Sequence, residues 1–170
     1  MFGKRDRPKI VPVKDIPDCD IGAPMPTVLA NSSGLHLLYY PQQNHPGSDR
    51  TRVHVRNNAD TGIALVSFRH YIYFSLGHPN DEALAGHPLA SYGLSSYTPQ
   101  IVAPSFLLKE LEKRNQIHPY HSAELFDGFH HYVYPFHDET LEVIAKGHEV
   151  QIFPDATMQE LLLTVMKTEE

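Results

Sequence analysis

Apolar and polar residues alternate with a period of two in residues 129–136 and 140–146. This pattern is typical of strands that bury one face, and the short connection between the two segments predicts a β-hairpin. A two-residue loop at 138–139 would place His137 opposite Thr140 and within reach of Glu142. One face would be apolar, with Phe136, Tyr134, Tyr132, Leu141, Val143 and Ala145. The other face would carry His137, Val133, His131, Thr140, Glu142, Ile144 and Lys146.

Two residues of this hairpin predict further features. Pro135 cannot donate a hydrogen bond to a neighbouring strand, which favours an edge strand or a bulge at that position. His130 falls on the apolar face, where a buried histidine with a hydrogen-bond partner is expected.

The remaining pattern predicts short strands, two main helices and irregular connections. Predicted strands are 27–30, 35–40, 51–56, 62–76 with a bend at Arg69–His70, and 149–153. Predicted helices are 105–115 and 156–167, with a short helix at 80–85 and a single helical turn or two at 122–127. Residues 41–50, 57–62 and 92–102 are read as loop, turn and irregular chain. Strands and helices that follow one another without a regular βαβ alternation indicate an α+β class.

The organisation predicted is a single α+β domain, residues 27–170, preceded by a proline-rich arm, residues 1–26. The arm contains five prolines, which prevent a continuous helix or a central strand. The sheet is expected to be mostly antiparallel or mixed and could curl into a partial barrel.

Composition then narrows the functional classes. The 170 residues include 14 Lys plus Arg, 20 Asp plus Glu and 12 His, with a formal net charge of −6. This acidic balance argues against nucleic-acid binding, and no apolar run approaches the length of a membrane span. Because Cys19 is the single cysteine, an internal disulfide is excluded. We expect a cytoplasmic protein.

Histidines and carboxylates in two segments suggest acid–base chemistry. His87 lies in the segment 77–89, and His137, Asp138 and Glu142 lie on the hairpin. A carboxylate beside an imidazole raises its pKa and fixes its tautomer, as a general base requires. The alternatives are turn chemistry at the His-Pro sequences and an ordinary polar pair on a solvated strand face.

His118 and His121 form the best local pair for a metal. Pro119 favours a turn that brings the two imidazoles together, and a divalent metal such as zinc would need further ligands from elsewhere. An exposed turn without metal is the competing interpretation, and no other cofactor is indicated. The fingerprints GxGxxG, GxxxxGK[ST] and GxSxG do not occur in the sequence.

Three stretches carry a family resemblance. GHPNDEAL at 77–84, GHPL at 86–89 and YVYPFHDETLE at 132–142 resemble segments of a family of small bacterial proteins described as uncharacterised. The resemblance covers about residues 60–146 and implies a bacterial-type soluble protein. It assigns no catalytic residue.

Two hypotheses about function follow. The first is a small non-redox enzyme or ligand-binding domain whose pocket is lined by His87, His137, Asp138 and Glu142, with a small-molecule ligand and a divalent metal as an option. The second is a non-catalytic interaction module, partner-binding or immunity-type, that could also form oligomers through an edge strand at Pro135.

Overall fold

A computed structural model describes residues 7–32, 34–42 and 62–167. Nine strands and two α-helices occur in these residues and form one α+β domain. The strands are β1 (Lys9–Pro12), β2 (Thr27–Ala30), β3 (Leu35–Tyr39), β4 (Ile63–Arg69), β5 (Tyr73–Gly77), β6 (Gln100–Ala103), β7 (His130–Pro135), β8 (Thr140–Ala145) and β9 (Gly147–Phe153). The helices are α1 (Phe106–Asn115) and α2 (Met158–Lys167), and short 3₁₀ turns lie at Leu84–Gly86, Ala90–Tyr92 and Ala123–Phe126.

Two antiparallel sheets build the domain. One has the order β1-β6-β7-β8-β5, the other has the order β2-β3-β4-β9, and they are not closed into a barrel. The main core contains apolar side chains from β3 and β4 of one sheet and from β7 and β8 of the other. The sheets therefore pack face to face, and the α+β class with antiparallel strands is confirmed.

Each sheet also has a covered outer face. Leu161 and Val165 of α2 pack on Leu38 and Leu65 of the four-stranded sheet. On the five-stranded sheet, Leu89 packs against side chains of β6 and β7. Because the chain near Leu89 lies on this outer face, its polar side chains can meet those that β7 and β8 point outward.

Several predicted elements are confirmed. The strands at 27–30 and 35–40, the hairpin at 129–146, the last strand and both main helices are present, and no end differs by more than two residues. The predicted strand 62–76 breaks at Arg69–His70, and its two halves, β4 and β5, belong to different sheets. His70 has a φ of 49°, a left-handed conformation that ends the strand.

Other predictions are wrong. Residues 100–103 form β6 rather than irregular chain, and β7 pairs with both β6 and β8. β7 is therefore not an edge strand, and Pro135 is tolerated because it is the last residue of β7, beyond the part that pairs with β6. The 80–85 segment forms only a turn and a 3₁₀ helix.

The N-terminal arm joins the domain through backbone and core contacts. β1 is the edge strand beside β6, and Val13, Ile16 and Cys19 are buried in the main core. The predicted loop 41–50 beyond residue 42, the strand 51–56 and the turn 57–62 before Gly62 lie outside the described residues. In the described part of the chain, no helix is long and apolar enough to cross a membrane.

Candidate acid–base site

The loop of the β7–β8 hairpin has four residues, not two. Pro135 pairs with Thr140, and the amide of Phe136 donates to the carbonyl of Glu139 at 2.8 Å. The observed pairing of β7 with β8 differs from the predicted pairing by two residues. Because this number is even, each side chain stays on the predicted face of the sheet. His137 is therefore a loop residue, and the predicted contact between His137 and Glu142 is wrong.

His137 lies beside Asp81 instead. Its Nδ1 is 3.1 Å from Asp81 Oδ2, and the amide of Asp81 donates to the carbonyl of His137 at 3.1 Å. The side chain of His137 is 42% exposed, whereas that of Asp81 is 13% exposed. A half-buried carboxylate thus holds one nitrogen of an imidazole that is open to solvent.

Tyr97 completes this cluster. Its hydroxyl donates a short hydrogen bond to Asp81 Oδ2 and lies 3.5 Å from His137 Nδ1. Its backbone is in the left-handed region, with a φ of 65°, which is unfavourable for a tyrosine. Two backbone hydrogen bonds hold this conformation, from Tyr97 to the carbonyl of Pro135 at 2.7 Å and from Cys19 to the carbonyl of Tyr97 at 3.1 Å.

Electrostatics keep Asp81 ionised and Tyr97 protonated. Burial by itself raises the pKa of Asp81, but hydrogen bonds from Tyr97 and His137 outweigh it, and the pKa lies below its usual value. Burial and the neighbouring Asp81 carboxylate raise the pKa of Tyr97 well above its usual value. Because a carboxylate can only accept, the Tyr97 hydroxyl and His137 Nδ1–H both donate to it.

This geometry assigns the tautomer of neutral His137. With the proton on Nδ1, the lone pair is on Nε2, which accepts no hydrogen bond from another described residue. An imidazole held in this way can take a proton at Nε2 and later return it. Asp138 is exposed in the same loop, and its charge contributes to the raised pKa values of Glu139 and Tyr97.

A second cluster surrounds Glu142 on the outer face of the five-stranded sheet. Glu142 Oε2 is 2.7 Å from His131 Nε2, and Glu142 Oε1 is 3.4 Å from His87 Nε2. The second nitrogen of His131 is 2.9 Å from the hydroxyl of Ser105, the residue that caps α1. The second nitrogen of His87 accepts from the amide of Leu89 at 3.1 Å.

One choice of histidine tautomers satisfies every hydrogen bond in this cluster. His87 Nδ1 accepts from a backbone amide, so its proton is on Nε2 and is donated to Glu142. His131 likewise donates from Nε2 to Glu142, and its Nδ1 accepts from the Ser105 hydroxyl. Ser105 Oγ accepts in turn from the amide of Leu108 at 3.0 Å. His87 and His131 therefore have the tautomer opposite to that of His137.

Burial makes this second cluster structural rather than reactive. His87, Ser105 and His131 are 6%, 6% and 3% exposed. Burial by itself raises the pKa of Glu142, but the hydrogen bonds and charges of His131 and His87 outweigh it and lower the pKa to about 2. Ser105 is buried and its oxygen also caps α1, so its hydrogen bond to His131 holds the interior of the cluster together.

The predicted site residues are thus divided between two clusters. His87 and Glu142 contact each other, as residues of one pocket should, but they are buried with His131 and Ser105. His137 has Asp81 as its carboxylate partner. Pro88 explains the position of His87, because a residue before proline favours extended geometry and His87 has a φ of −67° and a ψ of 139°.

Sequence reasoning missed His131, Ser105, Asp81 and Tyr97 as members of these clusters. The mixed face of the hairpin does contain both His131 and Glu142, so a four-residue loop would have placed the two on neighbouring diagonal positions. No local pattern signals that Tyr97 meets Asp81. The buried histidine expected at His130 is wrong, because His130 is exposed and His131 is buried.

His118 and His121 do form a turn, with the amide of His121 donating to the carbonyl of His118 at 2.9 Å. Nδ1 of His118 accepts from the amide of Tyr120, and Nδ1 of His121 is 3.0 Å from Asn115 Oδ1. Within residues 7–32, 34–42 and 62–167, no group of three or more His, Cys, Asp or Glu side chains is arranged to hold a metal ion. A zinc site at this turn would therefore need ligands from residues outside these three ranges.

Cys19 is fully buried. Burial and the charges of Asp18 and Asp20 raise the pKa of its thiol to about 12, so it has no reactive thiolate at neutral pH.

Comparisons with known proteins supply no relative: no family model, no curated protein and no solved structure matches the chain.

Proposed function

We propose that this chain is a small non-redox enzyme that transfers a proton through His137, which is oriented by Asp81. The observation that carries the proposal is the 3.1 Å contact between a half-buried carboxylate and Nδ1 of a solvent-open imidazole. A carboxylate in this position fixes the tautomer of a general base and stabilises the imidazolium that forms. Tyr97 supports the arrangement by donating to the same carboxylate oxygen.

The charges around His137 favour certain substrates. Asp81, Asp138 and Glu139 lie in the two segments that form the site, and the charge of Asp138 is felt at both Glu139 and Tyr97. A surplus of carboxylates repels anions and attracts cations. We therefore expect a neutral or cationic small molecule as the substrate.

A chromogenic neutral ester tests the proposal. The rate constant for hydrolysis of p-nitrophenyl acetate at neutral pH is measured for the wild type, His137→Ala, Asp81→Asn and the control His130→Ala. His130 is an exposed histidine on the same strand pair, and its ring faces Tyr132. Loss of a general base lowers the rate by about a hundredfold, and loss of the orienting carboxylate lowers it by about tenfold.

His130→Ala is the control for the slow background reaction of an exposed imidazole with this ester. Because that reaction contributes little to the total rate, His130→Ala is expected to retain the wild-type rate. Equal rates for His137→Ala and His130→Ala, each close to that of the wild type, would show that His137 has no special reactivity.

The alternative hypothesis, a non-catalytic interaction module, rested on the absence of a complete catalytic motif from the sequence and on an edge strand at Pro135. β7 is internal, so the support from an edge strand is lost. We therefore place the acid–base hypothesis first.

A further inference from the structure

A cleft with basic walls lies at the other end of β8 from the hairpin loop. Arg69, His70, Lys146, Gly147 and His148 line an open space of about 340 Å³. Four of these five residues have a side chain that is cationic or can become so. β8 has six residues, so the cleft and the hairpin loop are separated by about 20 Å along the strand.

The fold assembles this cleft where two chain segments pass from one sheet to the other. β4 ends at Arg69 before the chain enters β5, and β8 ends just before Lys146, where the chain enters β9. The amide of Lys146 donates to the carbonyl of Arg69 at 3.0 Å, which fixes the two crossings together. A Cβ added at Gly147 would meet no described atom within 4 Å, so the space beside the backbone is open.

Backbone strain at His70 is a second feature of the cleft. Its φ of 49° is uncommon for a residue other than glycine, and such residues occur often at ligand sites. The conformation turns the chain sharply between β4 and β5 and places an exposed imidazole at the wall of the cleft.

The carboxylates near the cleft are exposed and replaceable. Glu149 pairs with Arg69, and their side chains are 51% and 61% exposed. Asp15 pairs with His148 at 3.0 Å and is 73% exposed, while the other nitrogen of His148 contacts the hydroxyl of Tyr132. Exposed ion pairs of this kind contribute little free energy, so an anion with several oxygens can compete with them.

Lys146 is held in a different way. Its ammonium group lies 5.1 Å from the centre of the Phe129 ring, a cation–π arrangement that uses no hydrogen-bond acceptor. A lysine in this position can approach a ligand oxygen without first breaking an ion pair with a described carboxylate.

We propose that this cleft binds a small phosphate-bearing anion, with Arg69 and Lys146 as the cationic contacts and Gly147 leaving room for the ligand. A guanidinium and an ammonium group on residues that line one open space match the charge of a phosphate monoester and can donate to its oxygens. The acidic surroundings of His137 exclude the same ligand from the acid–base site, so the two sites are chemically distinct.

Inorganic phosphate is the probe, and backbone amide NMR shifts of the full chain are the readout. The titration runs to about 50 mM phosphate at neutral pH against sodium chloride of equal ionic strength. Arg69→Gln and Lys146→Gln are compared with two controls on α1. Arg114 is the match for Arg69, since it is also an exposed arginine paired with a glutamate, and Lys113 is the match for Lys146.

We expect saturable shifts at residues 146–148 with phosphate but not with chloride. Loss of either cleft cation should weaken binding by about tenfold, and the α1 variants should bind as the wild type does. Absence of saturation, or equal weakening by the cleft and control variants, would overturn the proposal. His137→Ala should bind phosphate normally, so this result is independent of the acid–base hypothesis.

Discussion

Replacement of Glu142 by glutamine tests the buried cluster with almost no change in side-chain shape. Glu142 accepts from His131 and His87, whose second nitrogens are occupied by Ser105 and the amide of Leu89. The glutamine amide group is itself a donor and would face one of the two N–H donors. Either that histidine changes its tautomer and loses its other partner, or two donors are left facing each other.

The magnitude follows from the pKa of Glu142. A pKa lowered from 4.5 to about 2 corresponds to about 3 kcal/mol of folding free energy at about 1.4 kcal/mol for each pH unit. The side chain is 23% exposed, which places the expected loss in Glu142→Gln at about 2 kcal/mol after solvent screening. Because the folded-state pKa is the lower one, this stabilisation is complete above about pH 5 and is lost as the pH falls towards 2.

Urea unfolding measures the loss. At neutral pH, Glu142→Gln should unfold at a lower urea concentration than the wild type with an unchanged slope, and the difference should shrink below about pH 5. Glu110→Gln is the control, because Glu110 forms an exposed pair with Arg114 that is worth less than about 0.5 kcal/mol. A Glu142→Gln protein as stable as Glu110→Gln at neutral pH would refute the reasoning.

Other parts of the fold give further predictions. Ser105→Ala removes the cap of α1 and the partner of His131 and should cost about 2 kcal/mol by urea unfolding; a loss below about 0.5 kcal/mol would contradict the network. Gly62→Ala should cost more than about 1 kcal/mol, since φ is 66° and a Cβ would lie 2.9 Å from the backbone after β9, whereas Gly86→Ala should be near neutral; equal effects would argue against this. The Cys19 thiol should react with a thiol reagent only in denaturant, and rapid reaction of the folded chain would be inconsistent with its burial.

Local patterns were sufficient to predict most elements of this fold. Period-two alternation located the hairpin, and Ser105 with the apolar stripe that follows it located α1. The four-residue segment Gln100–Ala103 was missed because its strand character depends on its partners, β1 and β7, which are distant in sequence. The pairing of β6 with β7 also places β7 inside the sheet, and no residue near Pro135 indicates this pairing.

The candidate site was predicted only in part, for a related reason. His137 and Glu142 were chosen because a two-residue loop would bring them together. The observed loop has four residues, and with it Glu142 contacts His131. His87 reaches Glu142 and Asp81 reaches His137 across 55 and 56 residues of sequence. Contacts at that separation are set by how the 81–94 segment covers the sheet, which is a property of tertiary packing.

Two carboxylates hold the histidines in opposite tautomers, one at an open site and the other in a buried cluster. Nitrogen-15 NMR of the imidazole rings at neutral pH measures these tautomers directly, with assignment by His→Gln variants. We expect a proton on Nδ1 in neutral His137 and on Nε2 in His87 and His131. A proton on Nε2 of neutral His137 would contradict it, because that nitrogen could then not act as the base.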